Sequence, residues 1–160
     1  MFTDFSIHPI EGFAREGGKH FKTDLVTQVE GNLWQGGCIE GVSLNGDFKH
    51  VISLYPWERF SPGCELDSFM EVRLLDGKTV PDEQQLVAVA RWINVCRETG
   101  PTLVHCQAGL NRSGLVTALA LILSGMAPVD AIALLRKSRC PAVLCNKAFE
   151  SWLLGDPTKP

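Results

Sequence analysis

The stretch Leu103-Val104-His105-Cys106-Gln107-Ala108-Gly109-Leu110-Asn111-Arg112-Ser113-Gly114 runs straight into the apolar segment 115–123. Apolar residues, a glycine-bearing polar turn and a second apolar run in that order predict strand, tight loop, helix. Cysteine closes the strand and arginine stands where the helix begins. A helix N-terminus offers unpaired N–H groups and the positive end of the peptide dipole, which suits a bound oxyanion. At Cys106 that field would favour thiolate over thiol, and Arg112 carries a fork matched to phosphate oxygens. Gly109 lets the loop turn so that successive N–H groups point inward as an anion nest. A nucleophile and an anion clamp on one short loop read as phosphate-ester chemistry.

On either side of this stretch the pattern predicts strands alternating with helices. Residues 26–29 and 33–35 read as short strands about the Glu30-Gly31-Asn32 turn, and residues 50–54 and 70–75 as two more. Pro81-Asp82-Glu83 opens a helix, with proline early and acids in the first turn. Leu86, Val89, Ala90, Ile93 and Cys96 then recur at helical spacing until Gly100-Pro101 stops it. Further helices are predicted over Pro128–Ser138 and near 146–154. The order implies an α/β layered domain. Residues 25–155 are expected to form the catalytic domain. Residues 1–24, with Phe2, Phe5, Ile7, Phe13 and Gly17-Gly18, receive no structure from their pattern, and 156–160 read as a flexible tail.

The bulk composition narrows the classes. At 160 residues, 45% hydrophobic and 21% charged, the chain fits one domain with a real core. A net charge of −3 argues against a non-specific nucleic-acid binder. The first ten residues lack the basic start and apolar stretch of a signal peptide, and the run 115–123 is too short to span a bilayer. Six cysteines lie at 38, 64, 96, 106, 140 and 145 with no Cys-x-x-Cys, which argues against a zinc site. A chain this core-rich has no need of disulfide staples, so a reduced, cytoplasmic protein is expected, without a membrane. Cys38, Cys64 and Cys96 read as packing residues. A redox role stays open for Cys140 and Cys145.

Phosphate-ester cleavage also needs an acid for the departing oxygen. Asp76 is the first candidate, at the end of a predicted strand where active sites collect, with Gly77 to permit a mobile loop. Asp82 is its rival, but a place in a helix's first turn already explains it. Ser113 is positioned to donate its hydroxyl to the Cys106 sulfur and make it a better leaving group. His105 is expected to orient the loop by hydrogen bonding. The loop 55–60, Tyr55-Pro56-Trp57-Glu58-Arg59-Phe60, follows a strand, so its aromatics are candidates to stack on a phosphotyrosine ring and Arg59 to meet an acidic substrate, with plain surface packing an equal alternative.

At these residues the chain resembles the cysteine-dependent protein tyrosine phosphatases, whose signature is His-Cys, five residues, then Arg-Ser/Thr. The five here are Gln107, Ala108, Gly109, Leu110 and Asn111. The likeness to the small dual-specificity branch extends over roughly residues 25–155. It takes in Asn32-Leu33-Trp34-Gln35-Gly36, His50-Val51-Ile52-Ser53-Leu54, Leu75-Asp76-Gly77, Arg139-Cys140-Pro141 and Asn146-Lys147-Ala148-Phe149. The resemblance implies a single three-layer α/β domain, a central, mostly parallel sheet flanked by helices. It also implies a phosphocysteine intermediate with no metal or cofactor, and a phosphorylated protein or peptide as substrate: phosphotyrosine first, with phosphoserine and phosphothreonine left open. Cys106 would be the nucleophile, Arg112 the phosphate clamp with the loop 107–111, Asp76 the general acid and Ser113 the helper of the second step. Gly109-Leu110-Asn111-Arg112 is also similar to the loop of RNA 5′-triphosphatases, which leaves a polyphosphate substrate open. The loop lacks the lysines of phosphoinositide phosphatases, which counts against a lipid. A silent phosphopeptide-binding module is the remaining alternative, and the intact Cys106, Arg112 and Asp76 count against it. Oligomeric state is not readable.

Overall fold

The computed structural model describes residues 9–44, 48–60 and 65–160. Phe2, Phe5 and Ile7, and Cys64 with the packing role expected of it, lie outside these residues. Seven strands and four helices follow one another in the described residues. The strands β1 (Pro9–Ala14) and β2 (Lys19–Asp24) form an antiparallel hairpin that pairs with no other strand among the described residues. The second sheet holds β3 (Val26–Glu30), β4 (Leu33–Gly36), β5 (His50–Ser53), β6 (Ser68–Glu71) and β7 (Thr102–His105). The helices are α1 (Glu83–Thr99), α2 (Arg112–Leu123), α3 (Pro128–Ser138) and α4 (Lys147–Leu154).

Strand order in the larger sheet is β3-β4-β7-β5-β6, with only the β3–β4 pair antiparallel. The mostly parallel sheet that the resemblance implied is thus observed. Its three middle strands are buried along their whole length, as parallel strands covered on both faces must be. Alternation then sorts their side chains. Leu33, Ile52 and Val104 face the helices and join Leu86, Ile93, Leu115 and Leu119 in the main core. Trp34, Val51 and Leu103 face the other way and form a smaller cluster with Leu44 and Phe48 of the β4–β5 connection. Helices, sheet and connection make the three layers of the α/β fold.

Local chemistry sets the ends of the elements. Asp82 caps α1, its side chain accepting from Gln85 N–H at 3.0 Å. Asn146 caps α4 through Ala148 and Phe149 N–H. Two expectations need correction. The strand expected over 70–75 ends at Glu71, because its neighbour β5 ends at Ser53 and the last ladder bond is Val72 N–H to Ser53 O at 2.8 Å. Asp76 therefore sits five residues beyond the sheet, on an irregular segment. Residues 9–24, left without structure by their pattern, form a hairpin whose Ala14 and Phe21 pack against the main core.

Candidate active site

Cys106 follows β7 directly and Arg112 opens α2, so the loop 106–112 bridges the carboxyl end of the central strand and a helix N-terminus. Gly109 makes the turn at φ +74°, and its backbone lies so close to β4 that a Cβ would stand 2.5 Å from Gly36 C and Gly37 N. Five consecutive carbonyls of this loop accept hydrogen bonds from the surrounding scaffold. His105 Nδ1 lies 3.3 Å from Cys106 O, and a carbonyl only accepts, so Nδ1 carries the proton. Cys38 N–H donates to Gln107 O at 2.9 Å and Leu144 N–H to Leu110 O at 3.2 Å. Arg139 Nη2 reaches Ala108 O at 3.4 Å and Gln35 Nε2 reaches Gly109 O at 3.2 Å. In a trans peptide the N–H points opposite to the C=O, so these bonds aim the N–H groups of residues 107–111 away from the scaffold, the arrangement an anion nest requires.

Cys106, Arg112 and Asp76 line one cavity of about 480 Å³, together with Gln107, Ala108, Leu110 and Asn111. Gly109, Ser113 and His105 lie behind it. Arg112 Nε is buried and without a protein partner, and its guanidinium carbon stands 4.8 Å over the Tyr55 ring. Ser113 Oγ is 3.3 Å from Cys106 Sγ. Asp76 is held toward the loop by two amides: Asn111 Nδ2 at 3.1 Å from Oδ2 and Asn146 Nδ2 at 2.8 Å from Oδ1. Asn146 Nδ2 also donates to Gly77 O at 2.8 Å, so the segment expected to be mobile is tied down. Asp82, the rival acid, is occupied in capping α1.

Burial drops the pKa of His105 to about 4, which keeps its imidazole neutral. The ring points to the sheet face opposite the cavity, where it meets Phe60 edge-on at 5.1 Å. Burial likewise pushes Cys38 up to about 12 and raises Cys96 and Cys145, so these remain thiols. The packing role expected of Cys38 and Cys96 fits their burial in the interior. Cys145 lies against the loop, its Sγ 3.0 Å from Glu16 O and 3.7 Å from Asn111 Nδ2.

The loop 55–60 divides between the two faces. Tyr55 lines the cavity and Trp57 packs on it with ring centroids 4.9 Å apart. Arg59 does not face the site. Its Nη2 pairs with Glu71 at 2.9 Å, and it lines a separate apolar hollow with Phe60 and Leu66. Sequence reasoning missed the hairpin, whose Phe13, Ala14 and Arg15 form part of the cavity wall. Gly17 at its tip, at φ +91°, approaches Cys145 so closely that a Cβ would lie 2.2 Å from Cys145 O. The glycine pair at 17–18 was the one visible signal of a tight turn there.

The family of the dual specificity phosphatase catalytic domain matches residues 41–156. Structure and signature loop agree with that match, and the chain belongs to this family. The dual specificity protein phosphatase OPG106 of vaccinia virus is 28% identical over 94 residues, 56% of this chain. The monkeypox virus protein of the same name is also 28% identical over 94 residues. The match spans about half the length of these curated relatives, 54%. Among solved structures, Tk-PTP in its active form superimposes with TM-score 0.65 at 24% identity, over 82% of this chain and 95% of that one. A human tyrosine phosphatase-like serine/threonine/tyrosine-interacting protein gives TM-score 0.68 at 15% identity, over 81% and 93%. At these identities the likeness establishes the fold. Among the described residues, no helix is long and apolar enough to cross a membrane.

Proposed function

We propose that the protein is a phosphatase that hydrolyses phosphotyrosine in proteins or peptides through a phosphocysteine intermediate. The observation that carries this reading is the convergence of Cys106, Arg112 and Asp76 on one cavity at a helix N-terminus. The Cys106 thiolate attacks phosphorus; the S–P bond forms as the ester P–O bond breaks, and the departing oxygen takes the Asp76 proton. Arg112 and the inward N–H groups of residues 107–112 hold the equatorial oxygens as charge spreads over them. Water then attacks phosphorus and gives its proton to the Asp76 carboxylate. The S–P electron pair returns to sulfur, aided by the Ser113 hydroxyl, and inorganic phosphate leaves.

Tyrosine is favoured over smaller residues by the cavity's rim. Tyr55 and Phe13 offer aromatic surface on the wall, where a phenyl ester would find packing that a seryl ester cannot reach. Among the described residues, the cationic side chains lining the cavity are Arg15 and Arg112, few for a polyphosphate end. The test is phosphate release under reducing conditions from a phosphotyrosine peptide, a phosphothreonine peptide and a 5′-triphosphate RNA, with Cys106→Ser as control. Peptide turnover that disappears in the control supports the proposal, and a high tyrosine-to-threonine ratio supports its specificity. RNA turnover with inert peptides would replace it with a polyphosphate reading. Substantial turnover by Cys106→Ser would remove Cys106 as nucleophile.

A further inference from the structure

Leu33 and Gln35 share one side of β4, the side facing the helices. An apolar residue is the expected occupant of such a position, and Gln35 is fully buried there. Its amide nitrogen meets two groups, Gly109 O at 3.2 Å and Ser113 Oγ at 3.1 Å. Its oxygen, also buried, has no hydrogen-bond partner. A half-satisfied buried amide opposes folding relative to an apolar side chain of the same shape. Stability therefore does not account for the residue, and its two contacts do.

The Gly109 carbonyl can only accept, so the end of the Gln35 side chain that faces it must be the NH₂. That same NH₂ faces Ser113 Oγ and donates to it. While it is a thiol, Cys106 Sγ donates to Ser113 Oγ at 3.3 Å; as a thiolate it can only accept, and a serine hydroxyl that accepts from Gln35 still has its own proton to give. We propose that Gln35 is a positioning residue that fixes the direction of the Ser113 hydroxyl, so that its proton points at the Cys106 sulfur. Arg139 holds the strand itself, its Nη1 donating to the main-chain oxygen of Gln35 at 3.0 Å. The consequence falls on the second step: a sulfur that accepts a proton-bearing hydroxyl leaves phosphorus more readily. This inference rests on the role of Ser113 in the proposed function.

Gln35→Met, Ser113→Ala and the double variant test it, by rapid mixing with p-nitrophenyl phosphate. The burst of p-nitrophenol reads phosphocysteine formation and the steady phase reads its hydrolysis. The pH dependence of Cys106 alkylation by iodoacetamide reads the sulfur directly. Gln35→Met is expected to slow the steady phase about 5–20-fold, the scale of one hydrogen bond, while the burst persists. Its alkylation profile moves to higher pH, Ser113→Ala moves it the same way, and the double variant matches Ser113→Ala. Losses that multiply in the double variant, or a slowed steady phase with an unmoved alkylation profile, overturn the proposal. If Ser113→Ala itself leaves both readouts at wild-type values, the role of Ser113 fails first and the inference goes with it. A second measurement leaves Gln35 in place. Its side-chain amide proton resonance should follow ionisation of Cys106 in the otherwise wild-type protein and not in Ser113→Ala; a resonance indifferent to that ionisation overturns the proposal without any substitution at Gln35.

Discussion

Asn111 Nδ2 lies 3.1 Å from Asp76 Oδ2, a hydrogen bond that joins the phosphate loop to the segment carrying the proposed acid. Asn146 closes the triangle: its N–H donates to Asn111 Oδ1 at 2.9 Å and its Nδ2 to Asp76 Oδ1 at 2.8 Å. Three residues from three distant parts of the chain thus hold one carboxyl. Asn146→Ser keeps a side chain able to cap α4 but loses the reach to Asp76. It is expected to lower kcat about 10-fold on a phosphothreonine peptide, whose leaving group needs the proton, a modest part of the acid's whole effect. With p-nitrophenyl phosphate, kcat should stay near wild type. Equal losses on both substrates would detach Asn146 from proton transfer.

Asp76 and Asp82 separate by what each removal costs. Asp76→Ala is expected to lower kcat about 10²–10⁴-fold for poor leaving groups and much less for p-nitrophenyl phosphate. Asp82→Ala should leave kcat in place and cost about 1 kcal/mol of stability through the lost cap, read from denaturant midpoints. The reverse pattern would reassign the acid.

Phe13 is 59% exposed, yet it lines the cavity from a hairpin that pairs with no other strand among the described residues. Phe13→Ala is expected to raise KM for a phosphotyrosine peptide about 3–10-fold, the worth of one aromatic contact, with kcat unchanged. A phosphothreonine peptide should respond less. Equal shifts for both would show that Phe13 does not read the ring.

His105 makes stability depend on pH in one direction. Its imidazole ionises at about 4 in the fold against an ordinary value of 6.5. Between those values the unfolded chain takes up a proton that the folded one refuses, so the stability held above pH 6.5 is lost as pH falls toward 4. The loss approaches about 3 kcal/mol, and urea midpoints recorded across this window measure it. His105→Asn, which retains a donor for Cys106 O, should remove this part of the slope.

The loop 106–113 was legible because its parts are contiguous: Cys106, Gly109, Arg112 and Ser113 fall within eight residues, and local strand, turn and helix signals place them. Asp76 was singled out from a strand end, although that strand stops earlier for want of a partner, and it lines the same cavity. Gln35 and Asn146 were not, because nothing local distinguishes them. Gln35 is one residue of a short strand, and its contacts at Gly109 and Ser113 lie 74 and 78 positions away. Arg59 misled for a related reason. Sequence puts it four residues from Tyr55, but the chain crosses the end of the sheet between them, and Glu71 takes its charge. The hairpin escaped because two short strands that pair only with each other carry too few apolar residues to show a period.

That hairpin has the independence of an exchangeable part. Its ladder is internal, its tip rests on the Cys145 carbonyl through glycine backbone at Gly17, and Ala14 and Phe21 anchor it on the core while Phe13 and Arg15 face the cavity. Phe13 and Arg15 can therefore vary without disturbing the five-stranded sheet or the loop carbonyls that hold the anion nest. Retargeting this scaffold becomes a matter of grafting: a new tip alters which phosphorylated surface is admitted, while the chemistry beneath it is inherited whole.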